Sequence, residues 1–246
     1  MVDSYGRTVD LPSSSKSETR SQNRKIVSRM ADSESGTKLD SAFDDAALGT
    51  SSIMVPDTKV SFPAFYVKYK NKTDQRMFVA FHAYHWIKFQ HKRGSTGAIM
   101  IDIDDTLIDG NESVSNGFQY MKELYHNIGI FFPLHIVTAR PREDHHACMK
   151  LLLDRGFCLP PDRLHMLPTE LYGKDYSHVE RFKWNTYVSI GKSHGGVVAR
   201  FGDKMWDVAH AQSLHGSLAH VHDKDCYIFR DPAMKGTVSY KLPGVK

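Results

Sequence analysis

Cysteine is scarce in this sequence, which has only Cys148, Cys158 and Cys226 among 246 residues. Their number is odd and no CxxC spacing occurs, so a disulfide framework and a structural zinc site are both disfavoured. A reducing compartment suits such a chain. We therefore expect an intracellular, cytoplasmic protein.

Long hydrophobic runs are also missing. No stretch approaches the roughly 18 apolar residues that a membrane helix needs, and residues 1–16 lack the apolar core of a signal peptide. The sequence therefore predicts neither a membrane segment nor a membrane partner.

Charge of one sign is not dominant either, because the formal net charge is only +4. Such a balance permits an anionic partner without demanding nucleic acid.

The N-terminal third divides into two segments of different composition. Residues 1–55 are rich in Ser, Asp, Lys and Arg and have few aromatics, which predicts a disordered tail. Residues 56–96 combine aromatics with an excess of Lys and Arg, and their spacing predicts a helix over 74–91 with Thr73 or Asp74 as its N-cap. We expect this basic aromatic extension to pack against the following domain. Binding of a polyanion such as nucleic acid is the alternative, which we do not favour.

From residue 97 to the C-terminus, short apolar runs alternate with segments of helical length. The predicted strands are 98–103, 132–138, 163–167, 195–202, 217–222 and a shorter one at 226–230. The predicted helices are 113–127, 142–155, 176–191 and 204–214. This alternation is typical of α/β proteins and predicts a doubly wound, three-layer sandwich around a mostly parallel, Rossmann-like sheet over 97–246.

Polar residues stand at the carboxyl ends of three predicted strands. Asp102 and Asp104 follow the first, Thr138 and Arg140 follow the second, and Asp203 follows the fourth. Ligands of open α/β sheets bind outside the carboxyl ends of the strands, so these side chains should converge on one crevice. Clustered carboxylates repel one another, and a cation would offset that repulsion.

These residues form four motifs that resemble those of the haloacid dehalogenase (HAD) superfamily. DIDDT (102–106) matches DxDxT, VTAR (137–140) supplies the strand-end threonine, a downstream lysine follows, and GDKMWD (202–207) matches GDxxxD. The match spans roughly residues 97–210. In detail the chain is most similar to the acid-phosphatase branch, which includes class B acid phosphatases and plant vegetative storage proteins.

The resemblance implies a hydrolase that opens phosphate monoesters through an aspartyl phosphate, with Mg²⁺ as cofactor. Asp102 would be the nucleophile, Asp104 the general acid and base, Thr138 a hydrogen-bond donor to the phosphoryl group, and Lys183 the balancing cation. Metal ligands would be Asp102, the main-chain carbonyl of Asp104, and Asp203, with Asp207 holding a metal-bound water. Oxygen ligands of this kind are those that Mg²⁺ prefers.

Several assignments stay open at the level of sequence. Lys174, Lys183 and Lys192 all lie between the second and fourth motifs, and we favour Lys183 because it stands early in a predicted helix beside aromatics. Arg140 is either a phosphate contact or an ion-pair partner of a neighbouring acid. Thr106 is either a substrate contact or a brace of its loop. Asp105 and Asp109 are expected to shape turns. The fourteen histidines show no spacing typical of a metal site.

Only a short loop follows the first motif, so we expect a minimal cap and an open site for a phosphorylated small molecule or macromolecule. Three functions remain at this stage. The leading one is a Mg²⁺-dependent phosphatase. The others are an inactive interaction or structural protein on the same fold and a nucleic-acid end phosphatase. Oligomerisation, with a partner subunit over the site, stays open.

Overall fold

One eight-stranded sheet organises the described part of the chain. The computed structural model describes residues 54–57, 64–68, 71–114, 117–214 and 216–244. The strands are β1 (Met54–Pro56), β2 (Ala64–Val67), β3 (Ala98–Ile101), β4 (Leu134–Pro141), β5 (Leu164–Leu167), β6 (Val197–Gly202), β7 (Tyr227–Arg230) and β8 (Val238–Lys241). Their order across the sheet is β1-β2-β7-β8-β6-β3-β4-β5.

The sheet is mostly parallel. β8, β6, β3, β4 and β5 pair in parallel, while β1, β2 and β7 extend the β8 edge through antiparallel pairs. The helices are α1 (Lys72–Lys92), α2 (Phe118–Ile128), α3 (His145–Asp154), α4 (Tyr176–His194) and the short α5 (Met205–Val208). Parallel neighbours need crossover connections, and α2 supplies the one from β3 to β4 while α3 supplies the one from β4 to β5.

The helices cover both faces of the sheet, as β3 shows. Ile99 and Ile101 belong to the large core cluster that includes residues of α1, α2 and α3, whereas Ala98 and Met100 belong to a second cluster with Tyr187 of α4. Successive strand residues point to opposite faces, so β3 is buried on both sides. The predicted α/β sandwich with a mostly parallel sheet is confirmed.

The basic aromatic segment is part of this architecture. β2 pairs with β7, and α1 places Trp86 and Ile87, which are almost fully buried, in the large core cluster. The helix begins after Asn71, whose side chain accepts a hydrogen bond from the Asp74 N–H at 2.8 Å, so the predicted caps Thr73 and Asp74 were wrong by a few residues. The expected packing against the sheet is observed.

Two basic residues of this segment donate hydrogen bonds to backbone carbonyls near the C-terminal end of the described residues. Lys72 donates to the carbonyl of Gly244 at 2.5 Å, and the buried Arg76 donates to the carbonyl of Pro243 at 2.6 Å. A polyanion would have to compete with these contacts. Of the predicted tail 1–55, residues 1–53 lie outside the described residues.

Two predicted elements differ from the structure. The strand expected over 217–222 is a 3₁₀ helix, Gly216–His220, in which Leu218 is buried while Ala219 and His220 are exposed, so no alternating face forms. The helix expected over 204–214 is reduced to α5 and a 3₁₀ turn, Ala211–Ser213, because the backbone becomes extended at Ala209. No helix in the described part of the chain has the length and apolar character to cross a membrane.

Candidate active site

Three aspartates meet at the carboxyl edge of the parallel strands. Asp102 directly follows β3, Asp203 directly follows β6, and Asp207 lies on α5. β3 and β6 are neighbours in register, with Ile101 opposite Phe201, so their ends deliver both carboxylates to one place. All three side chains are buried, and an oxygen atom from each lies within 4.8 Å of the others.

Lys183 reaches this group from α4. Its Nζ donates a hydrogen bond to Asp102 Oδ1 at 2.7 Å and a second one to Asp207 Oδ1. Only 3% of the side chain is exposed, whereas Lys174 and Lys192 are exposed. The structure therefore brings Lys183, the favoured one of the three candidate lysines, to Asp102.

Burial and mutual repulsion control the ionisation of the group. Burial raises the pKa of Asp102 well above its ordinary value, and Asp207, Asp104 and Asp203 raise it further against the opposing effect of Lys183. Burial and the charge of Asp207 raise the pKa of Asp203 to about 7. For Lys183, burial lowers the pKa, but Asp102 and Asp207 outweigh it and the net shift is upward.

This group of side chains suits a divalent cation. Three buried carboxylates share one buried ammonium, and among the described ion pairs only the partly exposed Lys204, whose Nζ lies 3.3 Å from Asp203 Oδ2, adds a second positive charge, so negative charge is in excess when all are ionised. An uncompensated buried charge destabilises the folded state because it has lost its hydration. A hard divalent cation bound by the carboxylate oxygens would compensate the charge. Asp102, Asp203 and Asp207 would hold it, which are three of the four residues that the resemblance implies.

Gly202 makes room for Asp207. A Cβ atom at position 202 would lie 2.1 Å from the Cβ of Asp207, far inside any allowed contact. Asp207 is also fixed through its second oxygen, which accepts the Lys204 N–H at 2.9 Å. The stretch 202–207 is thus one structural unit that places two of the three carboxylates.

Asp104 is held apart from the aspartate group by Arg140. The guanidinium donates to both carboxylate oxygens of Asp104, with Nη2 at 2.7 Å from Oδ1 and Nε at 3.1 Å from Oδ2, and Nη1 lies 3.3 Å from Glu112 Oε1. The hydrogen bond with Asp104 raises the pKa of Arg140. Of the two roles left open for Arg140, the structure displays the ion pair.

The two threonines are fully buried. The hydroxyl oxygen of Thr138 accepts the Arg140 N–H at 3.2 Å, which leaves its own O–H able to donate. Thr106 lies beneath the loop, and its hydroxyl has no hydrogen-bond partner among the described residues. Thr138 is therefore placed beside Arg140 at the end of the predicted second motif, while Thr106 is placed inside the loop of the first.

The remaining aspartates of the first loop shape turns. Asp109 Oδ1 accepts the N–H groups of Asn111 and Ser113 at 2.9 and 2.8 Å. Asp105 has a φ of +54°, a left-handed conformation that aspartate adopts more readily than most residues. Its carbonyl accepts a hydrogen bond from Arg76 at 3.3 Å. The described residues between β3 and α2 form turns and no separate cap.

Sequence reasoning did not find every residue around the site. Lys241, at the end of β8, is almost fully buried and donates to the carbonyls of Asp223, Asp225 and Leu242 at 2.8 to 3.0 Å. Burial lowers its pKa. A lysine in a short polar strand carries no sequence signal for this role.

Comparison with known proteins adds no family to these observations. A scan against protein-family models finds no match, and a search of curated proteins finds no similar protein.

Proposed function

We propose that this chain is a Mg²⁺-dependent phosphomonoesterase of the HAD type that forms an aspartyl phosphate on Asp102. The observation that carries the proposal is the buried group of Asp102, Asp203, Asp207 and Lys183 at the carboxyl edge of the sheet. Burial of three carboxylates and a lysine costs desolvation free energy. Groups with this cost are found where they bind a ligand or take part in a reaction.

Asp102 is the attacking group in this scheme. Its carboxylate oxygen displaces the ester oxygen from phosphorus, and water then opens the acyl phosphate to return the free carboxylate. Mg²⁺ bound by the aspartates would draw the nucleophile and the anionic phosphate together and polarise a phosphoryl oxygen. Lys183, already hydrogen bonded to Asp102, neutralises negative charge on the acyl phosphate.

Asp104 carries the proton in both steps. It protonates the departing ester oxygen and later takes a proton from the attacking water. Arg140 holds this carboxylate through two hydrogen bonds. An incoming phosphate offers Arg140 a second anion, so substrate binding would loosen the pair and free Asp104 for proton transfer. Thr138 can donate its O–H to a phosphoryl oxygen.

The test is hydrolysis of simple phosphate monoesters by the purified full-length chain with Mg²⁺. Asp102→Asn should lower kcat by roughly 10⁴ or more, as loss of a nucleophile does, while circular dichroism stays unchanged. Asp154→Asn is the matched control, because Asp154 is an exposed carboxylate on α3 that pairs only with Lys150 in the described contacts. Absence of hydrolysis by the wild type, or equal rates in the Asp102→Asn protein, would refute the proposal.

A further inference from the structure

Three histidines meet on the face of the sheet that packs against α4. His135 is the second residue of β4, His165 is the second residue of β5, and His194 is the last residue of α4. Val137 lies in the core cluster that includes Tyr187 of α4, and His135, two residues earlier on the same strand, points to the same face. His165 is in register with Val137 and points there too. The cluster thus joins two strands to the end of a helix.

His135 lies at the centre of this cluster. Its Nδ1 is 3.0 Å from His165 Nε2, and its Nε2 is 3.0 Å from His194 Nε2. His135 is buried, whereas His165 and His194 are partly exposed. Two imidazole nitrogens at such a distance need a proton or a metal ion between them, because their lone pairs would otherwise repel. Each contact is therefore compatible with a hydrogen bond or with a shared ion.

Two of the rings are held in the form that binds metals. Burial, together with His165 and His194, lowers the pKa of His135 to about 4, and burial lowers the pKa of His165. Of the charged side chains that act on His135, Arg163 opposes a further positive charge and Asp162 favours one. Transition metals bind the neutral imidazole. His135 and His165 therefore keep a nitrogen lone pair at neutral pH.

We infer that His135 and His194 bind one divalent transition-metal ion, such as Zn²⁺, through their Nε2 atoms while His165 orients His135. Nitrogen ligands at about 2.0–2.1 Å from an ion lie about 2.8–3.4 Å apart when the bond angle is between about 90° and 109°. The observed separation of 3.0 Å lies within this range. The Nδ1–H of His135 then donates to His165 Nε2, as the second ring nitrogen of a metal-bound histidine usually donates to an outer partner.

Binding of the ion requires no imidazole to lose its last proton. With His135 protonated on Nδ1, the proton between the two Nε2 atoms belongs to His194, and ion binding moves it to the Nδ1 of that ring. Each ring then still carries one proton, and both Nε2 lone pairs face the ion. Because His194 is partly exposed at the end of α4, water molecules can fill the remaining coordination positions.

This site differs from the candidate active site in both place and chemistry. His194 follows Lys183 by eleven residues on α4, which separates them by about 16 Å along the helix axis. The aspartate group offers hard oxygen ligands, whereas imidazole nitrogens favour Zn²⁺, Cu²⁺ and Ni²⁺ over Mg²⁺. The inference therefore does not depend on the proposed phosphatase activity.

Calorimetric titration of the full-length protein, without an affinity tag, with Zn²⁺ in excess Mg²⁺ tests the inference. We expect the wild type to bind one equivalent of Zn²⁺ more than His194→Gln and His135→Gln. His126→Gln, which replaces an exposed histidine, is the matched control and should bind as the wild type does. Zn²⁺ should also raise the Tm of the wild type more than that of His194→Gln, because the ion binds only the folded cluster.

Substitutions of His165 test its orienting role. His165→Ala should raise the Kd for Zn²⁺ by roughly 10- to 100-fold, the usual cost of losing an outer hydrogen-bond partner. His165→Gln, whose side-chain oxygen accepts a hydrogen bond, should restore most of the affinity. Equal Zn²⁺ stoichiometry in the wild type and His194→Gln overturns the inference, and so does an equal loss in His126→Gln. Unchanged affinity in His165→Ala overturns the orienting role.

Discussion

Gly202 shows how closely the site depends on single residues. It ends β6, and any side chain there would meet the Cβ and Oδ2 of Asp207 at 2.1 and 2.6 Å. The chain can avoid that clash only by moving Asp207 or the end of the strand. Either movement separates carboxylates that would have to stay close together to coordinate the proposed Mg²⁺.

Gly202→Ala is therefore expected to remove Mg²⁺-dependent activity and to destabilise the fold by roughly 1–3 kcal/mol, the usual cost of overpacking. Activity against Mg²⁺ concentration and urea unfolding measure the two effects. Gly110→Ala is the control, since no atom lies within 4 Å of a Cβ at that position. If the activity of Gly202→Ala depended on Mg²⁺ concentration as that of the wild type does, the observed position of Asp207 would not be required for Mg²⁺-dependent activity.

At the scale of elements, α1 is a structural helix of the sheet. Trp86 is 1% exposed and belongs to the large core cluster together with Ile99 and Phe201. The aromatic spacing of 74–91 predicted the helix, and the hydrophobic side chains of this helix form part of the large core cluster. The segment contributes β2 to the sheet as well.

Trp86→Ala should lower the free energy of unfolding by about 3–5 kcal/mol, because the indole would leave a large cavity. Chemical denaturation monitored by circular dichroism provides the measurement. Tyr172→Ala, the removal of an exposed ring, should change the free energy by less than about 0.5 kcal/mol. A similarly small effect of Trp86→Ala would mean that α1 is not an integral part of the core.

The sequence predicted the elements that have strong local patterns and missed those defined by long-range contacts. β3 and β6 are apolar runs that end in aspartate, so their position and their polar ends could be predicted together. β8 could not, because Ser239 and Lys241 look like surface residues. Their burial is compensated by carbonyl groups from distant parts of the chain, with Ser239 donating to Val208 of α5 and Lys241 to Asp223. The pairing of Asp104 with Arg140 likewise depends on the contact between the loop after β3 and the end of β4, which cannot be predicted from the spacing of the residues in the sequence.

At the scale of the whole molecule, buried neutral histidines make stability depend on pH. Burial, with a smaller effect of His85, lowers the pKa of His82 to about 4. Burial, together with His165 and His194, lowers the pKa of His135 to about 4. Both residues stay neutral in the folded state and gain protons near pH 6.5 when unfolded, so the stability that these two histidines contribute falls as pH drops from about 6.5 towards 4. The raised pKa values of Asp102 and Asp203 act in the opposite direction over this range, so the effect of each histidine must be measured by its own variant.

For His82 alone the loss between pH 7 and pH 5 should be roughly 2 kcal/mol. Denaturant unfolding of the wild type and of His82→Gln at the two pH values measures it, and the stability of His82→Gln relative to the wild type should be higher at pH 5 than at pH 7 by about that amount. Gln can still hydrogen bond to the Tyr240 hydroxyl, which lies 3.1 Å from His82 Nδ1. The exposed His126 supplies the control variant His126→Gln, which should leave the difference unchanged. An equal change in stability between pH 7 and pH 5 in His82→Gln and the wild type would contradict the assignment.

The central claim is that Asp102 carries the phosphoryl group during turnover. Rapid acid quenching of the full-length protein, mixed with Mg²⁺ and a radiolabelled phosphate monoester, tests it most directly. We expect a hydroxylamine-sensitive label on the peptide that contains Asp102, absent without Mg²⁺ and absent from Asp102→Asn. Release of labelled phosphate with no label on the protein, or with the label on another residue, would contradict the account.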